Sequence, residues 1–115
     1  MENTELIQQI RTLEKESRKT GKKIWKTLAK ELDKTKRRRV AVNLSRINRY
    51  TDGGEVVAIP GKVLGSGMLD HQVTIAAFQF SDMALRKIKL AKGNALTLTE
   101  LIETGIPVSQ IKIMK

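Results

Sequence analysis

The densest chemistry in the sequence is cationic. Lys34-Thr35-Lys36-Arg37-Arg38-Arg39 puts five positive charges into six residues, and Arg46 and Arg49 follow closely. A block of one sign cannot pack against itself, because desolvating unpaired charge is costly. Lysine meets phosphate as a mobile point charge, whereas arginine adds planar, bidentate bonding and stacking. Three consecutive arginines therefore suit a partner with clustered phosphates. A disordered linker and a localisation-type basic tract are the competing readings. The position of the tract, directly between two helix-patterned segments, argues against both.

A second candidate is the glycine-rich stretch PGKVLGSGML at residues 60–69, read as a loop. It has the look of a kinase phosphate loop, but a GxGxxG begun at Gly65 and Gly67 would need its third glycine where Asp70 stands. No HRD or DFG follows, and a GxxxxGK[ST] loop is absent. Two readings stay open: backbone amides of a tight turn meeting a phosphate, or a bulged connection between strands. His71 is the single histidine, and neither base catalysis nor metal binding works without partners that the neighbouring Asp70 does not supply. It reads as an incidental loop histidine. Cysteine is absent, which removes disulfides, thiolate metal sites and a thiol nucleophile. The acidic residues show no spaced pair of the kind used in glycoside hydrolysis or metal catalysis. The expectation is a non-enzyme with no cofactor, no metal and no small-molecule substrate.

These residues must be held by elements that the pattern also reveals. The net charge is +10, and its distribution matters more than its size. Residues 1–50 hold fifteen Lys and Arg against six Asp and Glu, while residues 51–115 hold seven against six. Such asymmetry points to a polyanion, since solubility alone does not require concentrated charge. A first helix is predicted from Thr4, as N-cap, with Leu6, Ile7, Ile10 and Leu13 on one face, fading over residues 17–21. A second is predicted over residues 22–33. On its wheel Ile24, Trp25, Leu28, Ala29 and Leu32 form an apolar face, and Lys22, Lys23, Lys26, Lys30 and Lys34 form the opposite one. Only Asp33 interrupts that lysine stripe, so an external anion would relieve its repulsion. Residues 40–50 (VAVNLSRINRY) read as a short helix in which Asn43 or Ser45 could cap or bond RNA. The stripe, the arginine cluster, Arg46 and Arg49 could then form one continuous surface.

Beyond Asp52-Gly53-Gly54, a turn signal, the grammar becomes strand-like. Strands are predicted over residues 55–59, ending at Pro60, and over residues 73–80, the second buried on both faces. Ser81-Asp82 should cap a helix to Ala91 with Ala84, Leu85, Ile88 and Ala91 inward and Arg86, Lys87 and Lys89 outward. Thr97-Leu98-Thr99-Glu100 matches a capping box for a short helix stopping at Gly105. A last strand is expected over residues 110–114. The length suits a single domain over residues 1–115, with a basic helical part (1–50) and a mixed part (51–115). No stretch approaches a membrane span, and the opening Met-Glu-Asn-Thr-Glu lacks a signal-peptide layout, so a cytoplasmic protein is expected. The four aromatic residues, Trp25, Tyr50, Phe78 and Phe80, are few for a reader of single strands. No RRM, KH or zinc-finger signature appears, so shape and backbone recognition is favoured over sequence readout.

The blocks RRRVAVNLSRINRY, EVVAIPGKVLGSGML, VTIAAFQFS and ALRKIKLAKGNALTLTEL resemble, in order, those of the archaeal large-subunit ribosomal protein eighteen-e family, which is related to the bacterial-type fifteen family. NLSRINRY and PGKVLGSG carry the resemblance most specifically. It implies a mixed α/β (α+β) fold, with basic N-terminal helices followed by irregular β-β-α units. It implies a structural constituent of the large ribosomal subunit, a ribonucleoprotein component of translation that binds ribosomal RNA beside neighbouring ribosomal proteins and has no catalytic role. Carried onto matching positions, the implied contacts are Arg37, Arg38, Arg39, Asn43, Arg46, Arg49, Gly61, Lys62, Gly65, Ser66 and Gly67. The stripe Lys22, Lys23, Lys26, Lys30 and Lys34, with Lys36, comes from the charge pattern instead. The basic C-terminal extension of eukaryotic members is not matched here. A DNA- or nucleoid-binding protein is the alternative that charge alone permits, and a nucleotide-binding transferase using the glycine loop is a distant third.

Overall fold

The computed structural model describes residues 4–115; Met1, Glu2 and Asn3 of the opening lie outside the described residues. Helix α1 (Thr4–Thr20) is closed by Gly21 at φ +69°, whose amide donates to the Ser17 carbonyl at 2.8 Å. A left-handed residue at that point satisfies a terminal helical carbonyl, and glycine adopts it without a Cβ clash. Thr4, expected as the cap, is already helical. Helix α2 (Lys23–Leu32) follows, with Lys22 and Asp33 at its caps. Trp25, Leu28, Ala29 and Leu32 are buried as the wheel requires, and Ile24 is half-buried.

Residues 40–50 depart from the expected single helix. They form strand β1 (Val40–Asn43) and then helix α3 (Leu44–Tyr50). Val40 and Val42 are β-branched and two apart, a strand period that the helix reading overlooked. Strand β2 (Val56–Leu64) also outruns its expected end at Pro60. Proline has no N–H to donate, so within a sheet it belongs at an edge or a bulge. Here the β2–β3 register shifts between Ile59 and Lys62, and Pro60 sits inside that irregularity. Gly61 follows it. A Cβ placed there would lie 1.9 Å from the Val40 carbonyl oxygen, so only glycine lets β1 lie against β2.

Strand β3 (Thr74–Phe80), helix α4 (Asp82–Leu90), strand β4 (Asn94–Thr97), helix α5 (Leu98–Glu103), a 3-10 turn (Val108–Gln110) and strand β5 (Ile111–Ile113) complete the order. Strand β4 has no counterpart in the expectations. Its four residues pair with β3 and carry too little alternation to be read alone. The capping box is present: Thr97 accepts from the Glu100 amide at 3.0 Å, and Glu100 accepts from the Thr97 amide at 2.8 Å. Ser81 caps α4 by accepting from the Ala84 amide. Leu85, expected inward, is exposed, whereas Lys87, expected outward, is half-buried.

Every strand pair is parallel, in the order β1-β2-β3-β4, with β5 also on β2. Since β3 runs along one edge of β2, β1 (against residues 61–64) and β5 (against residues 56–58) lie end to end on the other edge. The fold is therefore mixed α/β. Both sheet faces are covered over most of their length, as a parallel sheet demands, and one face is left open at the Lys62 end. Val57, Ile59, Val63, Ile75 and Ala77 pack with Leu44 and Ile47 of α3 and Ala84 and Ile88 of α4. Val56, Ala58, Ala76 and Phe78 pack with Leu13 of α1, Trp25, Leu28 and Leu32 of α2, and Leu98 and Leu101 of α5.

Parallel strands are usually joined through a helix, but β2 and β3 are joined by the irregular segment 65–73. Side chains of the flanking helices hold it. Lys87 Nζ donates to the Gly65 and Gly67 carbonyls at 2.6 and 2.7 Å, and the Asp70 amide donates to Asn48 Oδ1 at 2.9 Å. His71 places Nε2 2.7 Å from Thr51 Oγ1 and Nδ1 2.8 Å from Asp70 Oδ1. The histidine is thus a structural tie between this segment and the end of α3. Hydrogen bonding to His71, then to Asn48, holds the Asp70 carboxyl below its usual range. A depressed carboxyl favours the folded state above its unfolded titration range, and the contribution is lost as pH falls through the folded value. His71→Ala should raise the Asp70 midpoint toward that of an ordinary aspartate, read from its carboxyl carbon resonance. Gly61→Ala should cost about 2–3 kcal/mol through overpacking, whereas Gly53→Ala, with open space around its Cβ, should stay within about 0.5 kcal/mol. Urea unfolding of the two variants checks this.

Candidate nucleic-acid interface

Helix α2 holds the lysine stripe outward. Lys22, Lys23, Lys26 and Lys30 are exposed, because burial of the Trp25 face fixes the opposite side toward solvent. The stripe is less uniform in sign than the sequence implied. Across a groove of about 390 Å³, Glu14 and Arg18 of α1 face Lys26, Lys30 and Asp33. Lys34 is paired with Glu31 at 2.7 Å, and Lys34 with Lys115 holds the Glu31 carboxyl below its usual range. Part of the repulsion assigned to an external anion is therefore relieved from within.

Residues 34–39 are a folded turn. The Thr35 carbonyl accepts from the amides of Arg38 and Arg39 at 2.9 and 3.0 Å. Lys36, Arg37 and Arg38 are exposed and form no ion pair among the described residues. Arg39 differs: its Nε donates to the Lys34 carbonyl at 3.3 Å, and its guanidinium carbon lies 5.9 Å from the Phe78 ring centroid. A cation over an aromatic face is attracted by the ring quadrupole, so Arg39 lids the helix-side core at the point where the chain enters β1.

Strand geometry continues the polar surface from that turn. Val42 and Val63 point into the α3–α4 core, so Ala41, Asn43 and Lys62 point to the other face. Ala41 pairs with Lys62 and Lys62 with Gln79, and all three are exposed. Helix α2 covers the Val56–Ala58 end of this face and leaves the Lys62 end open. Asn43 is exposed at the N-cap of α3 and makes no side-chain capping bond. Ser45 is half-buried, and its amide donates to the Ser66 carbonyl at 3.1 Å.

The glycine stretch has an internal explanation. Gly61 and Gly65 are buried. A Cβ on Gly65 would lie 2.7 Å from that of Met83, and one on Gly67, at φ +88°, would lie 2.3 Å from that of Ser45. These glycines let the segment thread between the starts of α3 and α4. Ser66 and Gly67 are exposed at its tip.

Arg46 and Arg49 lie with α3 on the opposite side of the sheet from α2, so the single continuous surface of the sequence reading is divided. A polar chain passes between the two sides around the sheet edge. Arg46 Nη2 donates to the Lys115 main-chain oxygen at 3.1 Å, Lys115 Nζ lies 3.7 Å from Glu31, and Glu31 binds Lys34. Lys112 and Lys115 were missed by the sequence reading, and Lys87 was read only as an outward residue, not as the tie to Gly65 and Gly67. Lys112 and Lys115 reach α3 only through the pairing of β5 with β2, which leaves no local signal. Among the described residues no cluster of three or more His, Cys, Asp or Glu side chains could hold a metal, and no helix is long and apolar enough to cross a membrane.

No protein-family model matches the chain. Curated relatives do match, and over nearly its whole length. It is 47% identical over 113 residues to large ribosomal subunit protein eL18 of Methanothermobacter thermautotrophicus, covering 98% of this chain and 93% of the relative. The eL18 protein of Methanoregula boonei is 42% identical with the same coverage. That of Methanococcus maripaludis is 47% identical over 105 residues, covering 91% of this chain and 88% of its own. Such identity across every element of the fold means that the chain belongs to the large ribosomal subunit protein eL18 family.

Proposed function

We propose that the protein is a structural constituent of the large ribosomal subunit, acting in the cytoplasm within the ribosome, and that it binds and stabilises folded ribosomal RNA without chemistry of its own. The observation that carries this is the folded turn at residues 34–39. It presents Lys36, Arg37 and Arg38 without carboxylate partners among the described residues, beside the uncovered sheet face of Asn43, Lys62 and Gln79. Exposed cations held in a fixed array neutralise phosphates of RNA segments that otherwise repel, releasing their condensed counterions. Lys22, Lys23, Lys26 and Lys30 extend the array along α2, Ser66 and Gly67 offer a small polar tip, and Arg46 and Arg49 engage RNA from the α3 side. Gly61 and Gly65 contribute by packing. The nearly neutral residues 51–115 brace the basic surface and meet neighbouring ribosomal proteins.

The test is binding to large-subunit ribosomal RNA and to duplex DNA across a salt series. Lys36→Gln, Arg37→Gln and Arg38→Gln together should weaken RNA binding and make the salt slope shallower by about 0.9 for each phosphate no longer neutralised. Equal affinity for RNA and DNA that ignores the triple change would overturn the assignment.

A further inference from the structure

Tyr50 ends α3 with 58% of its surface exposed. Trp25 and Phe78 are buried and Phe80 is half-buried, so among the described residues Tyr50 is the one aromatic ring left open to a partner. It borders a groove of about 300 Å³ lined by Arg46, Tyr50, Lys112, Ile113, Met114 and Lys115. Both the ring and the main chain of Tyr50 have a cationic neighbour. The Arg49 guanidinium carbon lies 5.9 Å from its centroid, and Lys112 Nζ donates to the Tyr50 carbonyl at 3.0 Å. The floor is apolar, from half-buried Ile113 and buried Met114. The rim is cationic but unevenly committed. Lys112 lies 3.3 Å from Glu55 and Lys115 3.7 Å from Glu31. Arg46 spends one donor on the Lys115 main-chain oxygen at 3.1 Å and keeps its others, and Arg49, beside the groove, forms no ion pair with an acidic side chain among the described residues.

We propose that this groove holds one unpaired nucleotide of RNA, its base stacked on the Tyr50 ring and its phosphate held by Arg46 and Arg49. The inference rests on the RNA-binding reading above and deepens it. Duplex phosphates need cations alone, because paired bases stack on one another and cannot reach a protein ring. An open aromatic face over an apolar floor suits a base that has left its stack. Planar guanidinium groups beside the ring suit a flat, anionic ligand better than lysines would. The site lies on the α3 side of the sheet edge, away from the α2 stripe, so the protein would grip RNA on two sides and fix their spacing.

The experiment uses the full chain and two RNA hairpins of equal length, one fully paired and one with a single bulged 2-aminopurine. The wild type and Tyr50→Phe should prefer the bulged hairpin and quench its fluorescence on binding. Tyr50→Leu should abolish the quenching and weaken binding of the bulged hairpin about tenfold, as expected for removing one base stack, with the salt slope unchanged. The triple change at Lys36, Arg37 and Arg38 should weaken both hairpins alike and leave the bulge preference intact. If both hairpins bind, respond to the triple change, and ignore Tyr50→Leu, the nucleotide site is wrong while RNA binding stands. If neither hairpin binds, both readings fall. Saturable binding of a short poly-glutamate peptide that depends on Tyr50, with no bulge preference, would make the groove a protein site and overturn the proposal.

Discussion

The close approach of the Val40 carbonyl to Gly61 fixes where β1 can lie, and β1 in turn fixes both charged segments attached to it. Arg39 enters the strand and Leu44 leaves it as the first residue of α3, so the 34–39 turn and the α3 arginines are positioned by one backbone approach. Strand β2 can accept β1 there because its early residues are already paired with β5 on the same edge, and the bulge at Pro60 re-aims the rest. An ordinary side chain at residue 61 would push β1 away and release both basic segments. The two cores depend on the same strand, since Val57, Ile59 and Val63 serve one and Val56 and Ala58 the other.

Charge on this frame is graded. Glu31 draws in Lys34 and Lys115, and Glu14 and Asp33 share a groove with Lys26 and Lys30. Exposed pairs of this kind contribute little to stability. Their effect is on the field, because a paired lysine attracts a phosphate less than a free one does. Arg39 is further withdrawn by Phe78. Among the cations left without an acidic side-chain partner are Lys36, Arg37 and Arg38 on one side and Arg46 and Arg49 on the other.

Much of this was legible in the sequence, for identifiable reasons. The α2 wheel carried enough residues of one type per face to fix orientation, and the Thr97–Glu100 box and the Ser81 cap are local signals whose geometry is set within four residues. Strand β4 was not legible, since its four residues carry almost no period and owe their form to pairing with β3, whereas β1 offered only the Val40 and Val42 spacing, which the helical pattern of residues 44–50 overrode. The groove at Tyr50 was hidden for a related reason. Arg46 and Arg49 were recognised, but Lys112 stands 62 residues from Tyr50 and is brought to α3 only by a parallel ladder. Scarce aromatics were read as evidence against base stacking. That argument holds for a sheet of stacking rings, as in single-strand readers, and has no force against one exposed ring.

The glycine stretch shows where sequence reasoning could not choose. A glycine marks a place where something comes close, but it does not say whether that is a phosphate or another part of the chain. In residues 60–67 the close neighbours are the Val40 carbonyl, the start of α4 and Ser45. The glycine stretch is therefore largely a packing motif. NLSRINRY divides differently: Leu44 and Ile47 are buried while Arg46, Arg49 and Tyr50 face solvent. Burial explains the first two; of the last three, Arg46 binds the Lys115 main-chain oxygen and Arg49 lies over the Tyr50 ring, and all three stay open to solvent. Exposed residues set in a helix whose buried face fixes their direction are the ones through which such a block can meet a partner.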